Sequence, residues 1–214
     1  MSASSPEFDG AFRKELARLI EWRRDVRRFR TDSVPAPLID SLLKLAQFAP
    51  SVGNSQPWRI VRVESAGKRQ AIRDNFLRCN AEALAEMKGE RAKLYARLKL
   101  AGLDAAPVQI AAFCDRETRQ GHGLGIHTMP EMLDYSVTGM ISCLWLAARA
   151  AGLGLGWVSI LNPVEAAATL DVPNGFKFIA YLCIGWPEEE HIDPELERHG
   201  WQDRTDSERK IFNV

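Results

Sequence analysis

Two apolar runs, Val108–Cys114 (VQIAAFC) and Phe178–Gly185 (FIAYLCIG), constrain the fold of this chain most. Short, nearly uninterrupted and bounded by turn residues, both read as buried strands. Between them Tyr135–Ala151 is the most apolar helical stretch, with small residues at Ser136, Gly139, Ser142 and Ala147. That pattern fits a buried central helix or one that forms a dimer. The chain of 214 residues, 46% hydrophobic and 26% charged, is long enough to bury a substantial core as one domain, 1–214.

Phe12, Leu16, Leu19 and Ile20 recur at helical spacing and predict a helix over 11–24 with one apolar stripe. Directly after it comes Arg23-Arg24-Asp25-Val26-Arg27-Arg28-Phe29-Arg30, five arginines and one carboxylate in eight residues. One or two cations suit a helix C-terminus. Five guanidinium forks suit a doubly charged anion such as a phosphate monoester, although a solvated basic turn has the same composition. Asp25 weakens such a site unless it pairs a flanking arginine or acts on the ligand.

Further on, a helix over 37–48 ends at Ala49-Pro50. A polar loop, Ser51-Val52-Gly53-Asn54-Ser55-Gln56-Pro57, then leads into a strand over Trp58–Val63. Such loops carry ligand contacts or simply turn the chain. Residues 67–100 read as helical and heavily charged, interrupted by Gly89, and the stretch 85–103 reads as a lid-like insertion. The run Gly152-Leu153-Gly154-Leu155-Gly156 follows a helix instead of preceding one, which argues against a dinucleotide fingerprint. Its glycines are expected to let the backbone pass close to a flat ligand.

Several partners are excluded by composition. Basic and acidic residues balance at 28 each, so no nucleic acid is expected. No apolar run reaches the ~18 residues of a membrane span, and residues 1–8 read as a loose tail without a signal-peptide core. Cys79, Cys114, Cys143 and Cys183 are widely spaced, which fits free thiols and a cytoplasmic location. His122 and His127, five apart, lack a zinc-ligand pattern, and no metal is expected.

Four landmarks in order resemble the flavin-dependent nitroreductase-like family over nearly the whole chain: Arg23–Phe29, Ala49–Trp58, Gly152–Ser159 and Ile184-Gly185-Trp186-Pro187. The resemblance implies an α+β fold, a central mixed or antiparallel sheet flanked by helices, in an intertwined homodimer with FMN at the subunit interface. The family's phosphate grip falls on Arg23, Arg24 and Arg27 around Asp25 and Val26, with Arg204 joining from the C-terminal segment. Ser51, Asn54 and Gln56 correspond to a loop that reaches the flavin of the other subunit. Trp157 and Ser159 correspond to a turn along the flavin ring.

Asp25 stands where ordinary nitroreductases carry serine, Ser159 follows Gly-Trp-Val, and the charged insertion is extra. Those departures resemble the 5,6-dimethylbenzimidazole synthase branch, which consumes reduced FMN and oxygen to make the lower ligand of cobalamin. The resemblance implies catalytic roles for Asp25 and Ser159, a lid contact near Leu100, and a separate NAD(P)H–flavin reductase supplying reduced FMN. An NAD(P)H-dependent nitroreductase or flavin reductase, and a non-catalytic flavin-binding protein, are the alternatives.

Overall fold

A computed structural model describes residues 5–98, 102–205 and 210–212. The strands β1 (Trp58–Arg62), β2 (Val108–Asp115), β3 (Gly154–Val158) and β4 (Phe176–Gly185) form one sheet in the order β1-β2-β4-β3. All three pairings are antiparallel, with a register shift between Ala112 and Phe113 where β2 meets β4. The helices are α1 (Gly10–Trp22), α2 (Ala36–Ala46), α3 (Ala66–Ala85), α4 (Gly89–Arg97), α5 (Met132–Ala150), α6 (Pro163–Thr169) and α7 (Glu195–Arg198). The expected helix-flanked sheet is therefore present, and no described helix is long and apolar enough to cross a membrane.

The central strands read as nearly unbroken apolar runs because helices cover both faces of the sheet. Ile110, Ala112, Leu182 and Ile184 point to the side filled by α2 and α5. Ala111, Phe113, Tyr181 and Cys183 point to the other, where Ile72, Phe76 and Ala166 of α3 and α6 pack. Along α5 the residues Leu133, Val137, Met140, Ile141, Leu144 and Ala148 are buried at intervals of one to four, one helical face turned to the sheet. Its opposite face carries the exposed Tyr135.

Helix α1 ends earlier than its apolar spacing predicts. Helix α1 stops at Trp22, since Arg23 is already extended, so the arginine segment lies wholly beyond the helix. None of its residues is buried, and Phe12, Leu16 and Ile20 stay exposed. The charged helical stretch divides into α3 and α4 at the interruption expected from Gly89, which has φ +64° and starts α4. Strand β3 begins at Gly154, inside the glycine run.

Candidate functional site

The segment 23–30 runs beside β3 and the stretch that follows β4, and backbone groups fasten it to both. The Val26 N–H donates to the Leu155 carbonyl (3.0 Å), the Arg30 N–H to Trp186 (2.8 Å) and the Glu188 N–H to the Arg28 carbonyl (3.1 Å). The Trp145 indole N–H reaches the Arg24 carbonyl (3.0 Å), and Phe29 is 1% exposed in the core. This docking explains the glycines of β3. A Cβ on Gly154 would stand 2.8 Å from the Val26 methyls, and one on Gly156 would collide with the Val26 carbonyl. Within the chain, the close approach that they permit is therefore to its own arginine segment.

Docking fixes Asp25. One carboxylate oxygen accepts from the Trp157 backbone N–H (2.8 Å), the other from Arg27 Nε (3.0 Å). Burial pushes its pKa up, outweighing the lowering by the Trp157 N–H and Arg27. Yet the side chain remains 33% exposed, so it is crowded by protein on most sides with one edge open to solvent.

That edge faces a cleft of about 200 Å³ lined by Arg23, Arg24, Asp25, Arg27, Glu195 and Arg204. Arg23 lies over the Trp145 ring, 4.9 Å from its centroid. Arg24 is clamped to the Ile192 carbonyl (Nε at 2.7 Å). Its pKa is lowered by burial and by the positive charges of Arg204 and Arg23. Arg27 Nη1 is buried without a hydrogen-bond partner. A buried donor lacking an acceptor is costly, and an anion in the cleft relieves both the orphaned donor and the repulsion among the guanidinium groups. A raised carboxylate with an open edge, beside a cationic cradle, is equipped to accept a proton from an anionic ligand.

The other expected residues are placed differently. Ser159 sits exposed just past the end of β3, two residues from the Trp157 N–H. Val26 lines the neighbouring pocket with Arg28 and Glu189. Ser51, Asn54 and Gln56 form a self-bonded turn, with the Gln56 N–H on Ser51 Oγ (3.1 Å) and Gln56 Nε2 on Asn54 Oδ1 (3.1 Å). The turn is tied to the N-terminal part of α5 through the Val52 N–H and Ser136 Oγ (3.0 Å). Ser136 and the cleft-side Trp145 are separated by roughly 14 Å along the helix axis, so one chain does not bring this loop to Asp25. Leu100 lies outside the described residues. His122 and His127 lie in the loop before α5, and no group of three or more metal-ligating side chains occurs among the described residues.

Sequence reasoning missed Glu195, whose side chain lines the cleft and pairs with Arg28 (3.5 Å), and it missed Ile192 and Trp145. Ile192 acts through a backbone carbonyl, which carries no residue-type signal. Glu195 is a common residue type, and Trp145 is hidden within an apolar helix that reads as core.

The nitroreductase family model matches residues 20–186. The 5,6-dimethylbenzimidazole synthase of Rhodospirillum rubrum is 58% identical over 201 residues, covering 94% of this chain and 95% of the relative. A second protein of that name from Rhodobacter capsulatus is 45% identical over 201 residues, covering 94% and 97%. Among solved structures, oxidized iodotyrosine deiodinase bound to FMN and 3-iodo-L-tyrosine shares the fold, with a TM-score of 0.69 and 24% identity over 82% of this chain and 91% of that one.

Proposed function

The chain belongs to the nitroreductase family, and on that premise we propose that it is a 5,6-dimethylbenzimidazole synthase, converting reduced FMN and oxygen into the lower ligand of cobalamin. The relatives of that name that match nearly its whole length support the assignment. At the site the observation that carries it is Asp25, a carboxylate held by a backbone N–H and an arginine with one edge open on a cationic cleft.

The residues present fit FMN. The orphaned Nη1 of Arg27 and the mutually repelling Arg23, Arg24 and Arg204 suit its phosphate. The cleft is smaller than the ~300–1,000 Å³ usual for a ligand of this class, so it suits the phosphate end and leaves the ring to other surfaces. In this reading those come from Trp157 and Ser159, from the insertion 85–103 acting as a lid on a single domain, and from the Ser51–Gln56 loop of a second copy in a homodimer.

Bound reduced FMN supplies the electrons for oxygen and the carbon skeleton of the product. Asp25 receives protons at its open edge while the Trp157 N–H and Arg27 hold its orientation. Ser159 orients by its hydroxyl the group facing it, and the lid excludes bulk water. Oxygen is the co-substrate, no metal takes part, and a separate NAD(P)H–flavin reductase delivers the reduced FMN.

The test mixes the protein with chemically reduced FMN under argon, admits air and analyses the products by mass spectrometry. The expected result is 5,6-dimethylbenzimidazole. Quantitative recovery of oxidised FMN overturns the reading, and steady NADH consumption by the FMN-loaded protein identifies a reductase instead.

A further inference from the structure

We propose that Trp201 is a positioning residue, a clasp that ties the charged insertion to the arginine cleft so that capture of a phosphate monoester draws the insertion closed. The inference rests on the flavin reading above.

The segment carrying Trp201 grips two parts of the molecule. Toward the insertion, the Trp201 ring lies 6.1 Å from the Tyr95 ring, with the Arg91 guanidinium 5.4 Å from its centroid. Both partners belong to α4. Toward the cleft, Arg204 lies three residues on and lines the wall with Arg23 and Arg24. Upstream, the segment is braced by the Trp201 N–H on the Leu196 carbonyl (2.8 Å) and by the Glu195–Arg28 pair.

Helix α4 has little else to hold it. Tyr95 is the only buried residue of α4, and its hydroxyl donates to Asn80 Oδ1 (2.9 Å). Elements with few buried apolar contacts open locally at low cost. The downstream end of the insertion nevertheless abuts the site. Gly102 presses on the Phe29 ring so closely that a Cβ would overlap it, and that Cβ would stand 3.3 Å from the Arg27 carbonyl.

These contacts supply a physical link between ligand and lid. Without an anion, Arg204 and Arg24 repel one another. A phosphate dianion between them turns the repulsion into attraction and holds Arg204 inward. Through Trp201 the same pull is applied to α4. The coupling therefore depends on the phosphate and not on the flavin ring.

The experiment is limited trypsin digestion of the full-length protein, read at Lys88, Arg91, Lys93 and Arg97, with saturating FMN or saturating riboflavin. For the wild type we expect FMN to slow cleavage roughly five- to tenfold more than riboflavin, the lower part of the usual range for coupled sites. Trp201→Ala should erase that difference, Trp201→Phe should restore most of it, and Arg204→Gln should erase it with the clasp intact. Lys93→Ala, in which the clasp residues are untouched, should keep it. A general loss of stability changes cleavage equally with both ligands and leaves the difference in place. A Trp201→Ala protein that retains the wild-type difference overturns the inference, as does wild type that binds FMN without differential protection. Wild type that binds neither flavin, judged by fluorescence titration, overturns the flavin reading along with it.

Discussion

At Asp25 two influences oppose each other. Burial raises its pKa, while Arg27 and the Trp157 N–H favour the charged form, and burial prevails. The folded chain therefore holds this proton more tightly than the unfolded chain. The stability so contributed is complete below the unfolded pKa and is lost as pH rises through the raised folded value. Asp25→Asn imitates the protonated form, so the variant's Tm relative to wild type should climb from acid to neutral pH. A pH-independent gap in calorimetry would refute this electrostatic account. In the proposed reaction the same variant should still bind reduced FMN but lose about 10²–10⁴-fold in single-turnover product formation, the usual worth of a general base. Wild-type yield should fall on acidification through a limb lying above the ordinary carboxylate range. Near-wild-type yield from Asp25→Asn at neutral pH would sink the assignment. Arg27→Ala should weaken FMN by roughly 1.5–3 kcal/mol, as for a hydrogen bond to a charged group, and riboflavin far less. Equal losses in titrations of the two flavins would mean that Arg27 does not hold the phosphate.

The elements were legible in the sequence where one physical cause dominated. Strands β2 and β4 announce themselves because both faces are buried, so nearly every central position is apolar. Helix α5 shows its apolar character plainly, and the arginine segment was legible from charge density alone. The room that the β3 glycines give to Val26 was not legible, because that neighbour is distant in sequence and no local pattern reveals which backbone needs the room. The anchors of Arg24 and Asp25 were hidden for a related reason: a carbonyl at Ile192 and an N–H at Trp157 exist in any residue type there. The β3 packing is open to direct test. Gly156→Ala forces a methyl against the Val26 carbonyl, an overpacking that costs about 1–3 kcal/mol, and it lifts Asp25 away from the Trp157 N–H. Denaturant midpoint and FMN affinity should fall together. A variant with unchanged affinity would show that segment 23–30 does not need its seat on β3.

For the molecule as a whole, the row of Phe12, Leu16 and Ile20 along α1 is solvent-exposed, as is Tyr135 on α5, and the Ser51–Gln56 loop lies away from the cleft of its own chain. A homodimer in which these surfaces meet accounts for all three. Light scattering should give twice the chain mass, and Ile20→Asp should shift it toward one chain mass while weakening FMN. An FMN-competent monomer would exclude a shared site. The way the arginine segment is seated has a consequence in time as well. Val26 bonds to Leu155, Arg30 to Trp186 and Arg24 to Ile192, partners more than a hundred residues downstream. Contacts of such sequence separation form slowly, after local structure, and during synthesis the early segment must wait until almost the entire chain has emerged. A nascent or truncated polypeptide therefore has no cradle to offer a phosphate, and acquiring one coincides with completion of the fold.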